Sequence, residues 1–161
     1  IKGFEPLYIQ RIAQLTNKSN QFNLTTLRCS EDDIRAMAGD KNDLCLCGKL
    51  VDKFGDNGIV AVVAGRQQGD VLDLTLWLMS CRVLKRGMED AMMDTVVAEA
   101  AARGVKTIVG HYYPTAKNAM VREFYAQYDF AKTAEDADGN TEWTLDVAAY
   151  APKHPHMKIE R

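Results

Sequence analysis

The spacing of apolar residues is helical in the first forty positions of the chain. It predicts one helix over residues 5–17. A second helix is predicted to begin after Ser30, whose side chain can cap it, and to end at Gly39. Residues 18–23 between them are mostly polar, and such a stretch is buried only where its side chains find hydrogen-bond partners.

After Gly39 the apolar pattern becomes that of β-strands, interrupted by two further helical stretches. Strands are predicted over residues 44–52, 59–64, 71–81, 106–109 and 142–148. Helices are predicted over residues 88–103 and, with Thr115 as the cap, over residues 116–127. This order predicts an α/β domain in which helices flank a mixed, mostly antiparallel sheet.

The chain length fits one domain. We expect residues 1–150 to form it, with the helix and polar segment of residues 1–29 packed on the rest and residues 151–161 as a tail. The sequence begins without methionine, which we interpret as a sign that it was excised from a longer polypeptide.

Charge and cysteine content narrow the possible partners and location. The 161 residues include 20 Lys and Arg and 22 Asp and Glu, so no overall field attracts nucleic acid or an anionic membrane. No apolar run approaches the roughly 20 residues of a membrane span. The four cysteines show no regular disulfide framework, which favours a cytoplasmic protein, and no metal site is predicted.

The turn before the helix at residues 88–103 carries the first chemical signal. A strand that runs through Arg86 and Gly87 into a helix usually binds a pyrophosphate with backbone N–H groups. Here Glu89 stands where a glycine is expected, and its carboxylate would repel a pyrophosphate. The sequence therefore disfavours coenzyme A (CoA) as a cofactor, although it leaves CoA possible, and it predicts no tightly bound cofactor.

This turn, together with Asn118, the pair Phe124-Tyr125 and the pair Asp129-Phe130, resembles the GCN5-related N-acetyltransferase (GNAT) fold over about residues 30–150. The resemblance implies a GNAT-like fold. It also implies that a phosphopantetheine arm is contacted by Arg86, Gly87, Thr115 and Asn118.

Three longer strings resemble the C-terminal domain of FkbH-like proteins. They are QLTNKSNQFNLTT at residues 14–26, WLMSCRVLKRGME at 77–89 and GHYYPTAKN at 110–118. That family joins a haloacid-dehalogenase (HAD) type phosphatase to a GNAT-like acyltransferase. It is associated with the transfer of a three-carbon unit from 1,3-bisphosphoglycerate to an acyl carrier protein in polyketide biosynthesis. The chain has no phosphatase motif, so a phosphatase domain is expected upstream of Ile1.

Cys81 is the candidate nucleophile, because it lies at the end of a predicted strand between Ser80 and Arg82. The alternative is a cysteine that packs in the core as a small hydrophobe. The resemblance implies a thioester on the enzyme, and Tyr112 is the second candidate catalytic residue, ranked above His111. The other three cysteines are interpreted as structural.

Polar and cationic residues near these strings are candidates for binding a small phosphorylated three-carbon acid. They are Asn20, Gln21, Asn23, Thr25, Trp77, Ser80, Arg82 and Lys117, with Lys18, Lys85 and Arg86 as further phosphate ligands. Two other interpretations stay open: the cations form a solvated rim, or Arg86 pairs with Glu89 or Asp90, while the amides satisfy neighbouring backbone.

Three functions follow from these observations. The first is an acyltransferase that holds a phosphoglyceryl or glyceryl group on Cys81 and passes it to the phosphopantetheine of a carrier protein. The second is a CoA-dependent GNAT N-acetyltransferase. The third is a non-catalytic module that docks a carrier protein against an upstream phosphatase domain in the same polypeptide.

Overall fold

One mixed sheet organises the protein in the computed structural model, which describes residues 1–84, 87–155 and 157–160. Its strands are β1 (Asp43–Asp52), β2 (Gly55–Gln68), β3 (Val71–Met79), β4 (Thr107–Tyr112), β5 (Ala131–Glu135) and β6 (Thr141–Asp146). They lie in the order β1-β2-β3-β4-β6-β5. Only β3 and β4 pair in parallel within the described residues; the other neighbours are antiparallel.

Helices cover both faces of this sheet. The helices are α1 (Ile9–Lys18), α2 (Glu31–Gly39) and α3 (Met88–Ala102). α1 and α2 pack on one face, where Ile12, Ile34 and Leu76 belong to one hydrophobic cluster. α3 packs on the other face, where Met92 and Trp77 belong to a second cluster. The predicted α/β class and mixed sheet are confirmed.

Several predicted elements have different limits in the structure. The first three helices agree closely with the apolar spacing, and Ser30 forms a capping box with Asp33 at the start of α2. β3 ends at Met79, so Cys81 lies in a short 3-10 turn (Cys81–Val83) and not in the strand. β5 was not predicted, because its five residues are all exposed and show no alternation.

The predicted helix over residues 116–127 is wrong. This region forms two 3-10 turns, Ala119–Val121 and Tyr125–Tyr128. The Asn118 side chain accepts a hydrogen bond from the backbone N–H of Thr115, and its own backbone lies outside the α-region at φ −105° and ψ 18°. Thr115 and Asn118 thus bond each other as Ser30 and Asp33 do at the start of α2. No α-helix follows here, because the backbone of Asn118 lies outside the α-region.

β3 and β4 separate soon after they meet. In the described part of the chain, Val71–Asp73 of β3 pair with Thr107–Val109 of β4, and beyond that point the chain itself fills the space between the two strands. We call residues 22–25, which lie there, the inserted segment. The Leu24 N–H donates to the Trp77 carbonyl (3.0 Å) and the Leu24 carbonyl accepts from Tyr113 (2.9 Å). The segment thus bridges both separated strands.

The residues after 150 form no helix or strand, as far as they are described, but they are held against α3. Asp94 accepts hydrogen bonds from the Tyr150 hydroxyl (2.5 Å) and from the backbone N–H groups of Lys153 and His154 (both 2.9 Å). No described helix is long and apolar enough to cross a membrane.

Candidate functional site

A cavity of about 670 Å³ lies between α1, the loop after it and the end of β3. Four cationic side chains line it, and no acidic side chain does so among the described residues. We call this cavity the cationic pocket. Its cations are Arg11, Lys18, Arg82 and Lys117. Its other lining residues are Leu15, Ser19, Asn20, Gln21, Met79, Ser80 and Cys81.

Cys81 opens into the cationic pocket and is exposed, so it is not a core cysteine. Its thiol donates a hydrogen bond to Oε1 of Gln21 (3.2 Å). Ser80 caps the turn in which Cys81 lies, because its hydroxyl accepts from the backbone N–H of Arg82 (3.4 Å). The structure therefore brings a reactive side-chain type together with residues 60 positions away in the sequence.

The loop that forms one wall of the pocket is fixed by two side chains outside it. The Arg28 guanidinium donates to the carbonyls of Thr16 (2.5 Å) and Ser19 (2.8 Å) and to Oδ1 of Asn20 (2.6 Å). Asn23 donates to the Ser19 carbonyl (3.1 Å). These bonds satisfy carbonyls at the C-terminal end of α1, where a cation is electrostatically favourable.

Of the cations predicted to bind phosphate, Arg82, Lys117 and Lys18 meet in the pocket. Arg11 was missed. Arg11, Leu15 and Lys18 are spaced by four and three residues, so they share one face of α1, and this spacing is the signal in the sequence that points to Arg11. Arg86 and Lys85 lie outside the described residues.

Several predicted site residues do not line the cationic pocket. Thr25 donates to the Thr75 carbonyl (2.9 Å) on the edge of β3, and Thr115 caps the following turn. Trp77 is buried in the core beside Phe124, and Tyr112 is 1% exposed. Their assignment to substrate or catalysis stays a prediction that would require these groups to become accessible.

Asn118 and Asn23 form a buried clasp between the inserted segment and β4. Asn118 donates to the carbonyls of Asn23 (2.9 Å) and Tyr113 (3.0 Å), and its Oδ1 accepts from the Tyr112 hydroxyl (3.2 Å) and the Thr115 N–H (2.8 Å). The side chain is fully buried. The amide predicted to face a pantetheine arm therefore has all its polar atoms bonded within the protein.

The turn before α3 has a fixed geometry. Gly87 is the N-cap residue and has a φ of +86°, a conformation that suits glycine. Glu89 and Asp90 lie in the first turn of α3, as the sequence predicted. A β-carbon at Gly87 would lie 3.3 Å from Cε of Met157 and 3.5 Å from Cβ of Pro155, so the C-terminal segment lies against this turn.

The other three cysteines differ from Cys81 in burial. Cys29 and Cys47 are buried, and burial raises the pKa of the Cys29 thiol and raises that of Cys47 to about 11. Burial, followed by the charge of Asp43, raises the pKa of Cys45 to about 12. These thiols therefore stay protonated at neutral pH, in keeping with a structural role.

His111 and Asp73 form a separate pair, with 2.5 Å between Nε2 and Oδ1. Neither residue lines the cationic pocket. The His111 ring also stacks on Tyr113, at 5.9 Å between ring centroids. No group of His, Cys, Asp and Glu in the described residues is arranged to hold a metal ion.

Comparison with known proteins identifies the fold. No protein-family model matches the chain, and no curated protein sequence matches it significantly. Solved structures do match. The ribosomal-protein-S18-alanine N-acetyltransferase of Escherichia coli is 14% identical, with a TM-score of 0.68 over 97% of each chain. The GNAT domain of S. lividans PAT is 16% identical, with a TM-score of 0.68 over 90% of this chain and 88% of that one.

A third structure, Rv2747 of Mycobacterium tuberculosis, was solved in complex with CoA and NLQ. It is 12% identical, with a TM-score of 0.69, and the match covers 90% of this chain and 97% of that one. The protein therefore has the GNAT fold. At sequence identities this low, the similarity shows the fold alone, and the activity has to be argued from the residues of the site.

Proposed function

We propose that the protein is an acyltransferase that holds its acyl group on Cys81. The observation that carries the proposal is an exposed thiol inside a pocket lined by four cations and, in the described residues, by no acid. Such a pocket favours an acyl donor with an anionic leaving group or an anionic acyl group, because charged hydrogen bonds to phosphate or carboxylate are strong.

The first candidate reaction takes a phosphoglyceryl or glyceryl unit from 1,3-bisphosphoglycerate. The Cys81 thiolate attacks the acyl carbon and forms a C–S bond, while the C–O bond to phosphate breaks and phosphate leaves with the electron pair. The thiol proton passes to water through the open pocket. In a second step, the phosphopantetheine thiolate of a carrier protein attacks the thioester and the Cys81 thiolate leaves.

The pocket residues have separate roles in this reaction. Arg82, Lys117, Lys18 and Arg11 bind the phosphate and stabilise the charge that it carries away. Gln21 accepts the thiol hydrogen bond and orients the sulfur. Asn20 and Ser80 are available for the hydroxyl and carbonyl groups of the acyl unit. In an FkbH-like protein of the cytoplasm, the acyl carrier protein accepts the phosphoglyceryl group. Where a glyceryl unit is the product, an upstream HAD-type phosphatase domain would hydrolyse the remaining phosphate ester, with water as the co-reactant and phosphate as the leaving group.

A CoA-dependent N-acetyltransferase is the second candidate. It is favoured by the solved structures of similar fold, which include acetyltransferases and complexes with CoA. Those similarities support this candidate better than the first, because none of these structures concerns glyceryl transfer. In that reaction the acyl group passes directly from CoA to an amine, and Cys81 carries no acyl group.

Intact-mass spectrometry after incubation with 1,3-bisphosphoglycerate tests the first candidate. We expect an adduct with the mass of a phosphoglyceryl thioester that hydroxylamine removes. The adduct is lost in Cys81→Ala and kept in Cys45→Ala, the matched control for a partly buried thiol.

An unmodified protein, or an adduct that survives in Cys81→Ala, would contradict the nucleophile assignment. Tight binding of acetyl-CoA in calorimetry, with acetyl transfer to an amine that Cys81→Ala leaves intact, would establish the second candidate. Full transfer to a carrier protein by Cys81→Ala in the presence of a phosphatase domain would favour a docking module.

A further inference from the structure

The groove between β3 and β4 is the natural place in this fold for an extended ligand with amide groups. Where two neighbouring strands separate, each presents a free edge of backbone N–H and C=O groups. A ligand such as pantetheine, which carries two amides, can bind such an edge as an added strand does. The available edge of β3 beyond Asp73 is formed by Thr75, Trp77 and Met79.

The inserted segment already uses this edge. The Leu24 N–H donates to the Trp77 carbonyl (3.0 Å), the Met79 N–H donates to the Phe22 carbonyl (3.0 Å), and the Thr25 hydroxyl donates to the Thr75 carbonyl (2.9 Å). Three backbone groups on this edge of β3, the carbonyls of Thr75 and Trp77 and the N–H of Met79, therefore have partners within the chain. A pantetheine arm would find no free donor or acceptor on them.

On the β4 side of the groove, backbone groups also have partners within the chain. The Tyr113 N–H, just beyond β4, donates to the Leu24 carbonyl (2.9 Å), and Asn118 binds the carbonyls of Asn23 and Tyr113. The segment is also part of the core: Leu24 is fully buried, and Phe22 packs edge-on against Phe124, with 5.2 Å between ring centroids. Moving it would expose both apolar side chains and leave buried polar atoms without partners.

The cationic pocket is open where the groove is filled. Met79 belongs to both, because its N–H binds the inserted segment and the residue is part of the pocket lining. Cys81 follows two residues later and is exposed to the pocket. A compact ligand can therefore reach the thiol from the side of α1 without entering the groove.

We propose that residues 22–25 determine donor specificity by permanently occupying the groove between β3 and β4, so that a pantetheine-type arm is excluded from it. The acyl donor is then a compact anionic molecule, and a carrier-protein arm reaches Cys81 through the mouth of the cationic pocket. This inference rests on the proposed function for its reaction. Its structural content, the exclusion of CoA from the groove, stands apart from that reaction.

Hydrogen exchange of the full chain, followed by NMR, tests the exclusion without an activity assay. The reporters are the Leu24 amide, which donates from the inserted segment to the Trp77 carbonyl, and the Tyr113 amide, which donates to the Leu24 carbonyl. The matched control is the Val105 amide, which donates to the Ala100 carbonyl (2.9 Å) at the end of α3 and lines neither the groove nor the cationic pocket. We expect slow exchange at both reporters, and less than about a twofold change when coenzyme A is added in large excess.

Two results would overturn the proposal. One is coenzyme A that accelerates exchange at Leu24 and Tyr113 while Val105 is unchanged, because the arm would then displace the segment. The other is free exchange at both reporters without ligand. The variant Asn118→Ala tests the clasp: exchange at the reporters should rise roughly tenfold, with Val105 unaffected. No rise would mean that the clasp does not hold the inserted segment. If this variant does not fold, exchange in the unmodified protein with and without coenzyme A still tests the exclusion.

The exchange experiment and the acylation experiment can succeed or fail independently. Protected reporters with no acylation of Cys81 would refute the acyl-enzyme and leave the groove excluded. An acylated Cys81 with reporters released by coenzyme A would do the reverse.

Discussion

The groove between β3 and β4 and the cationic pocket share Met79 and the loop after α1. They differ because the groove is filled by hydrogen-bonded chain, whereas the pocket is an open cavity. In the groove, residues 22–24 are buried and their polar groups bond within the chain. In the pocket, residues 19–21 face a cavity with Cys81 and four cations. The same loop therefore fills the groove with residues 22–24 and lines the pocket with residues 19–21. On our proposal, ligands therefore bind to this chain in the pocket and not in the groove.

The largest expected effect is in thiol reactivity, which contrasts the pocket with the core. A thiol with a pKa of about 11, such as Cys47, is thiolate in roughly one molecule in a thousand at pH 8, and it is also buried. With iodoacetamide at pH 8, we expect Cys81 to be alkylated at least about 100-fold faster than Cys47 or Cys45, as measured by peptide mass spectrometry.

The raised pKa of Cys47 determines how the rate of its alkylation changes with pH. Because burial disfavours the Cys47 thiolate, its alkylation should increase about tenfold per pH unit up to about pH 11. The matched control is the same reaction in urea, where all four cysteines should react at similar rates. Comparable rates for Cys81 and Cys47 in the folded protein would contradict the distinction between pocket and core.

Leu24→Ala tests whether the inserted segment is part of the core. Leu24 is fully buried, so truncation should lower the free energy of unfolding by about 2–5 kcal/mol, measured by urea denaturation. Leu27→Ala is the matched control, because Leu27 is 42% exposed and three residues away. It should cost less than about 0.5 kcal/mol. Equal effects would mean that the groove is not filled in solution.

Arg28→Ala tests the boundary between the two regions. Arg28 joins the end of α1 to Asn20, and its loss should release residues 19–21 and lower the free energy of unfolding by about 1 kcal/mol. Arg35→Ala is the control: Arg35 pairs with Glu31 and Asp32 on the surface of α2, and its loss should cost less than about 0.5 kcal/mol. An Arg28→Ala variant as stable as Arg35→Ala would show that the loop needs no such support.

The sequence predicted much of the fold because local patterns carry it. The capping box at Ser30 and the apolar spacing of α3 depend only on neighbouring residues. β5 escaped prediction because an exposed edge strand needs no apolar side chains. The helix predicted over residues 116–127 is wrong although its cap is present, because the backbone of Asn118 leaves the α-region while its side chain bonds the Asn23 carbonyl, 95 residues away.

The candidate site was predictable only in part, because contacts between distant parts of the chain leave no local pattern in the sequence. The grouping of Cys81, Gln21, Arg82 and Lys117 followed from a resemblance, and the structure brings them together in one pocket. The inserted segment depends on pairing between Asn23 and Asn118, which are 95 residues apart, and no local pattern signals such a contact. The predictions for Trp77 and Tyr112 did not anticipate their burial, because apolar and catalytic aromatic residues look alike in a sequence.

The smallest expected effect concerns the turn that ends the inserted segment. Thr26 has a φ of +57°, a strained conformation for a β-branched residue, and its buried hydroxyl has no hydrogen-bond partner in the described residues. Its N–H is held by Oδ1 of Asn23 (2.9 Å), so the turn is imposed by the clasp and not by Thr26 itself. Thr26→Gly should therefore raise the free energy of unfolding by about 0.5–1 kcal/mol in urea denaturation. Thr25→Gly, which loses the hydrogen bond to Thr75 at a position without positive φ, should lower it. The reverse order of the two variants would mean that Asn23 does not impose this turn, and that the inserted segment is less firmly fixed than the pocket wall beside it.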